Sequence, residues 1–318
     1  MFVVVCEVRP SRLDLSHLFG IVSIRMSATL NVRSDGMGSW SFGFLDPLLQ
    51  RTFPHTHIVH DTGCAPDLVV RSHFTRMEFL PTYNCPYITW SGEVPPVALV
   101  PGYAPLFEVN TAHTGRPHEV WFPHLVNELE HTSRPSSITM PKRWCCAYAF
   151  TARIPERERL FQALRAREPT CYAFGPSCKT PDNPFEVPRS IRGNNATHFR
   201  DFGFCVAMEN CIAPGYMTEK IGFAFSAGAV PIYGGDNATV TDFFNPASFV
   251  NVLDFPSTEA AADHVVEVWR DPQKLQKYLD APLTLNDRLR DYEAIRTEYR
   301  PWQKPMVDAL RDAFPDLS

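Results

Sequence analysis

The 318-residue chain contains no uninterrupted run of 18 apolar residues, so no segment reads as a membrane span. It has no basic excess. With 30 Lys and Arg against 35 Asp and Glu the net charge is −5, which argues against a broad nucleic-acid footprint and requires positive charge for any anionic ligand to be local. The opening MFVVVCEV lacks a basic start and is too short for a secretory h-region, so a cytoplasmic location is expected. The nine cysteines are odd in number and scattered apart from Cys145 and Cys146, and reduced thiols are the expectation. Two glycosylation sequons, at Asn195 and Asn237, mean little in a chain expected to stay off the secretory route. There is no internal repeat, no low-complexity tract, no G-x-G-x-x-G and no Walker loop, so dehydrogenase and kinase readings lack their fingerprints. No D-x-D carboxylate cluster is present to hold a metal. His55, His57 and His60 lack a fourth ligand nearby and read as ordinary strand histidines.

What is present is globular: 44% hydrophobic and 20% charged residues, in a length that suits two domains. The segments 44–53, 57–60, 67–71 and 87–90 suggest helix, strand, strand and strand in a small α/β unit. Of the 29 prolines a dense set lies between Pro81 and Pro141, which predicts a loop-rich stretch, and the polar segment 127–143 reads as a linker. Beyond it the pattern changes to strands at 144–151, 170–175, 202–208 and 229–233. These alternate with helices at 155–167 and 218–227 and are followed by helices at 257–271, 273–280 and 286–314. Alternation of this kind predicts a parallel sheet covered on both faces.

Between the strands 202–208 and 229–233 sits a polar knot: Glu209-Asn210, then Tyr216-Met217-Thr218-Glu219-Lys220. Ligands of parallel sheets bind beyond the carboxyl ends of strands, near helix starts. Thr218 reads as a helix cap. Lys220 in the first turn opposes the helix dipole, a conflict that a bound phosphate would remove. Taken singly, each residue reads as packing or surface. Together they point to an anion or nucleotide site in an α/β domain.

The stretch MENCIAPGYMTEKIGFAFSAGAVPIYGG (208–235) followed by FFNPASFVNVLDF (243–255) resembles the donor-binding signature of family 10 glycosyltransferases, the α1,3/4-fucosyltransferases. YITWSGEVPP resembles the family segment that carries the catalytic base, which would be Glu93. IPERERLFQAL resembles the helix with a donor-phosphate arginine, which would be Arg157, and YAFGPSC (172–178) the strand and turn after it. The resemblance covers roughly residues 40 to 300 and implies an α/β GT-B-type fold with two Rossmann-like domains facing a cleft. On that basis the expected divisions are an N-terminal extension (1–28), an acceptor-side domain (29–138), a GDP-sugar-binding domain (139–290) and a C-terminal helix (291–318).

The resemblance further implies inverting transfer of fucose from GDP-fucose to a glycan, with an N-acetylglucosamine-containing acceptor. Arg157 and Lys220 would neutralise the diphosphate, Glu219 would hold a ribose hydroxyl, and Asn210 and Tyr216 would line the fucose–phosphate region. Glu209 would support the loop or contact the sugar. The chemistry is coherent by itself: a base strips the acceptor hydroxyl, cations meet the charge that develops on the departing diphosphate, and one base opposite the leaving group gives inversion. With two cations no essential metal is expected. The expected partners are GDP-fucose and a glycan, with no nucleic acid and no integral membrane segment. Three departures lie near the donor pocket: Gly234 where the family usually has Trp, Cys211 where it has Ser, and AFTARIPER in place of a Ser-Asn pair before the arginine helix. They keep open a related transferase using another nucleotide sugar, or a non-catalytic glycan- or GDP-binding protein on the same fold.

Overall fold

Runs of Val, Ile, Phe and Ala buried on both faces are what parallel sheets require. The computed structural model of the chain, which describes residues 28–35, 42–72, 85–94, 96–99, 102–150, 152–174, 180, 182–183, 193–294 and 297–317, contains two sheets, of which the second is buried in that way along nearly all its strands. In chain order the elements are β1 (Ala28–Asp35), α1 (Phe42–Thr52), β2 (Thr56–His60), β3 (Leu68–Ser72), β4 (Tyr87–Ser91), β5 (Glu108–Asn110), β6 (Glu119–Trp121), β7 (Trp144–Tyr148), α2 (Pro155–Arg167) and β8 (Cys171–Ala173). They continue with β9 (Phe202–Met208), α3 (Lys220–Ser226), β10 (Val230–Gly234), α4 (Asn237–Phe243), β11 (Val250–Asn251), α5 (Thr258–Arg270), α6 (Pro272–Asp280), α7 (Arg288–Glu293) and α8 (Lys304–Ala313). Strand orders are β2-β1-β3-β4-β5-β6 and β11-β10-β9-β7-β8. The expected N-terminal extension, except its last residue, and the turn 175–178 lie outside the described residues.

The chain divides into two compact units that are discontinuous in sequence: Met1–Thr89, Leu99–Phe107 and Tyr299–Ser318 form one, Trp90–Ala98 and Glu108–Glu298 the other. In the first, β1 runs parallel to both β2 and β3, with Leu30 opposite Ile58 and Val32 opposite Leu68. Helix α1 buries Leu45, Leu48 and Leu49, and α8 lies against it with Met306 and Leu310 buried. Phe53 and Phe314 meet edge to face at 6.1 Å. His60 is engaged by Asp46 at 2.9 Å.

In the second unit β7 runs parallel to β8 and β9, and β9 to β10. Its core joins Leu160 and Leu164 of α2, Val265 and Val266 of α5, Phe204 of β9 and Ile232 of β10. Helix α2 has Pro155 at its first position, and Ser257 caps α5 by accepting from the N–H of Ala260. No helix among the described residues is long and apolar enough to cross a membrane.

Three expectations are corrected. The segment 127–143 is tied down and does not act as a free linker: the Arg134 guanidinium donates to the carbonyls of Leu279 (2.7 Å) and Tyr278 (2.9 Å) at the end of α6, the contact a helix C-terminus favours. The single helix 286–314 is two, α7 and α8, because Arg300 before Pro301 is extended (φ −113°, ψ 142°). The helix expected at 218–227 begins at Lys220, for a reason found in the site.

Candidate functional site

Met208 and Gly234 are register partners at the carboxyl ends of β9 and β10, the edge at which parallel sheets bind ligands. The loop that leaves Met208 is fastened at several points. The Glu209 N–H donates to Gly234 O at 2.7 Å, His113 N–H to Pro214 O at 2.8 Å and Trp121 Nε1–H to Gly215 O at 3.1 Å. Gly215 has φ +81°, and a Cβ there would stand 2.5 Å from Trp121 Nε1, so both backbone and space demand glycine. Its N–H donates to Asp236 Oδ2 at 2.9 Å. Burial pushes the Asp236 carboxyl up, but donors from Thr239, Gly215 and Ala238 together hold it below its ordinary value.

Glu209 is fully enclosed and its carboxylate accepts three bonds: from Thr218 N–H and Thr218 Oγ1–H, each at 2.8 Å, and from Lys220 Nζ at 2.8 Å. Lys220 Nζ also donates to Thr218 Oγ1 at 2.7 Å. Thr218 therefore spends its hydroxyl on Glu209 and does not cap α3, which explains the later helix start. Helix α3 has only seven residues, so the attraction for an anion here rests on the Lys220 ammonium more than on a helix dipole.

Glu93 follows β4 in a tight turn, where Ser91 Oγ donates to Glu93 O at 2.8 Å. Its Oε2 accepts from the Tyr216 hydroxyl at 2.9 Å and from Asn210 Nδ2 at 3.4 Å. Asn210 Oδ1 in turn accepts from Arg157 Nη2 at 2.5 Å, and Arg157 Nε donates to Met208 O at 2.9 Å. The Arg157 guanidinium stacks 4.1 Å from the Phe150 ring centroid. Burial lowers the Arg157 pKa against the opposing pull of Glu209, Tyr148, Tyr216 and Glu219. Burial, then Glu209 and Glu93, raise the phenol of Tyr216 far above its usual range. The exposed Cys211 thiol is raised by burial, Glu209 and Glu93 and lowered by Lys220, so these charges share one neighbourhood.

The structure thus joins Glu93, Tyr216, Asn210 and Arg157 in one hydrogen-bonded chain and Glu209 with Lys220 in a second. Glu93 lies in the same compact unit as the donor-type loop, where a linear division had set them in separate domains. Of the two cations, Lys220 keeps a side chain 14% exposed while Arg157 is 1% exposed, so Lys220 is the more accessible. Glu219 is bonded by His124 Nδ1 at 3.1 Å. At Gly234 a Cβ would stand 2.8 Å from Val252 Cγ2 and 3.0 Å from Met208 Cε, so the space an aromatic side chain would need is filled. Sequence reading missed His113, Trp121, His124 and Asp236. Of these only Asp236, opening a helix after two glycines, carried a local signal.

Residues 141–289 match the family described as glycosyltransferase family 10 (fucosyltransferase), C-terminal part. A putative fucosyltransferase of Acanthamoeba polyphaga mimivirus is 25% identical over 177 residues, 52% of this chain and 29% of that protein. An α-(1,3)-fucosyltransferase of Helicobacter pylori is 39% identical over 81 residues, 24% of this chain and 17% of that protein. The chain therefore spans less than a third of the length of these relatives. A solved α1,3-fucosyltransferase with GDP-fucose superposes with a TM-score of 0.59 at 16% identity, over 90% of this chain and 95% of that one. The likeness is one of fold, and the fold is GT-B-type.

Proposed function

The chain belongs, through residues 141–289, to glycosyltransferase family 10, and from that premise we propose that it moves fucose from GDP-fucose to a glycan hydroxyl with inversion and without an essential metal. The observation that carries this reading is the Glu93 carboxylate held by Tyr216 and Asn210 beside a loop that presents Lys220. A pure binding protein has no use for a base held in this way.

In the proposed reaction Glu93 takes the proton of the acceptor hydroxyl as that oxygen attacks the anomeric carbon, and the bond to the diphosphate breaks on the opposite face. Lys220 meets the charge gathering on the departing GDP. Arg157 adds positive field and fixes Asn210, which with Tyr216 lines the fucose–phosphate region. Glu219 accepts from a ribose hydroxyl. Two protein cations do the work a metal does elsewhere, and an α1,3/4 linkage to an N-acetylglucosamine-containing acceptor is the favoured product. Glu209, with all its bonds to Thr218 and Lys220, supports the loop. The filled space at Gly234 favours one second reading, the same chemistry with a different GDP-sugar.

The test is GDP release from GDP-fucose with and without an N-acetyllactosamine-type acceptor, in EDTA. Acceptor-dependent release, reduced at least hundredfold in Glu93→Gln, is expected. Release that requires added metal, or a Glu93→Gln variant as fast as the parent, would refute the mechanism. In Lys220→Gln, which keeps a donor for Glu209 but loses the charge, the rise in melting temperature caused by GDP should shrink.

A further inference from the structure

Strands β2 and β3 flank β1 on opposite sides, and their registers put the end of one level with the start of the other: His60 and Leu68 both pair with Val32. Residues 61–67, which join them, therefore cross β1. The crossing is fastened at both ends, since Asp61 N–H donates to Val32 O at 3.0 Å and Asp67 N–H to Asn31 O at 2.9 Å. Between this loop and the carboxyl half of β1 lies a cavity of about 280 Å³, whose lining includes Asn31, Arg33, Ser34, Asp61, Thr62 and Pro66. It belongs wholly to the first compact unit. The chain passes from β1 to β2 on one side and then to β3 on the other, so the strand order reverses here, which is where parallel sheets hold ligands.

Asn31 Oδ1 accepts from Thr62 Oγ1–H at 3.3 Å and Asn31 Nδ2 donates to Asp67 Oδ2 at 3.1 Å, which leaves the amide one hydrogen and one lone pair. Asp61 adopts the left-handed conformation (φ +47°), and its Oδ1 accepts from Ser34 N–H at 3.1 Å. Its Oδ2 accepts from no group among the described residues. The lining residues thus hold unspent donors and acceptors together. A sugar hydroxyl uses both, whereas a cation only donates and an anion only accepts. Among the described residues, the lining groups and their bonded neighbours carry three carboxylates, Asp35, Asp61 and Asp67, against the one guanidinium of Arg33, which pairs with Asp35 at 3.4 Å. That balance disfavours an anionic ring. No group of His, Cys, Asp and Glu among the described residues could hold a metal ion. The volume is at the small end for a ligand pocket and suits one ring.

We propose that this cavity is a subsite for a neutral sugar ring of the acceptor glycan, with Asn31, Asp61 and Thr62 meeting its hydroxyls. This deepens the reading above and rests on its assignment of a glycan as acceptor. Because both ends of the loop are fastened to β1, the wall is ordered before the ring enters.

The experiment titrates the full chain and its variants with the neutral tetrasaccharide of two N-acetyllactosamine units, followed by NMR of the saccharide, and with GDP in parallel. Asp61→Asn keeps an acceptor for Ser34 N–H but loses the charge, and should weaken the tetrasaccharide about tenfold, the worth of one hydrogen bond to a charged group. Thr62→Val loses the hydroxyl and should weaken it about fivefold. GDP affinity within about twofold of the parent shows that the variants are folded. Should Asp61→Asn fold poorly, Asp61→Gly, at ease in a left-handed conformation, tests the same loss. A saccharide of the same length that ends in a carboxylate-bearing ring should bind more weakly than the neutral one; equal or tighter binding would overturn the neutral assignment. A parent that does not bind the tetrasaccharide, or variants that bind it as the parent does, would overturn the subsite, and GDP release by the parent would then leave the transfer reaction standing. Weakened binding in both variants of a parent that releases no GDP would instead keep the subsite and refute transfer.

Discussion

The Tyr216 hydroxyl donates to Glu93 Oε2 at 2.9 Å across 123 residues of sequence. In the proposed site this phenol lines the fucose–phosphate region and spends its hydrogen on the carboxylate of the base. Tyr216→Phe is therefore expected to lower kcat by roughly 10- to 100-fold, the loss of one charge-assisted hydrogen bond at the reacting group. GDP affinity should change less than about twofold. A variant that loses GDP affinity as steeply as kcat would place Tyr216 on the nucleotide instead.

Arg157 uses the planar fork of its guanidinium: Nε serves Met208 O, Nη2 serves Asn210 Oδ1, and the plane stacks on Phe150. A lysine ammonium is a point charge and cannot reproduce that set. Arg157→Lys should cost about 2 kcal/mol of stability, read from the urea midpoint. It should also loosen Asn210 and so reduce turnover more than GDP affinity. An unchanged midpoint would show that the fork contributes only charge.

At Gly234 the obstacle to any side chain is Val252, whose β-branched Cγ2 has little freedom to move, and the flexible end of Met208. Gly234→Ala should destabilise by about 1–3 kcal/mol through overpacking. In a double-mutant cycle with Val252→Ala the two losses should fall short of additive, because the second change makes the room the first needs. Strict additivity would mean that the strand relaxes without Val252.

Two buried groups give opposite alkaline behaviour. Burial raises Tyr292 from its ordinary 10 to about 12, with Arg288 opposing, so the folded state holds this proton longer than the unfolded one. Its contribution is complete below pH 10 and is lost as pH climbs through about 12. Lys142, which donates to Arg200 O and Gly228 O, is lowered by burial from 10.5 to about 8. For it the unfolded state binds the proton more tightly, and stability rises between about pH 8 and 10.5. Relative to Tyr292→Phe the parent should therefore lose stability above pH 10, and relative to Lys142→Met it should gain between pH 8 and 10.5. Melting temperatures across this range check both signs, and parallel curves for parent and variants would contradict them.

Much of the second sheet was legible because its signals are local. The apolar run 202–208 became β9 with the same limits, Pro155 opened α2, and Ser257 capped α5 as its sequence position suggested. The polar knot after β9 was legible for the same reason: acids, an amide, a tyrosine and a lysine crowd a place where a turn suffices. Local signals failed where a distant group competed for a side chain. Thr218 looked like a helix cap, yet the enclosed carboxylate of Glu209 takes its hydroxyl. Segment 127–143 looked like a linker, yet Arg134 finds the carbonyls that end α6.

The sequence by itself thus determined the strands β7 to β10, the helices α2, α5 and α6 and which loop gathers the charges, since periodicity, caps and residue type act within a few positions. The short elements β5, β6, β11 and α4 carried too few residues to show a period. Only the tertiary structure decided the partners: Tyr216 on Glu93, Arg157 on Asn210, His124 between Gly92 and Glu219. These contacts join strand ends and loops far apart in the chain. They exist because buried polar groups must be paired wherever folding brings them, and no nearby residue announces which partner that will be.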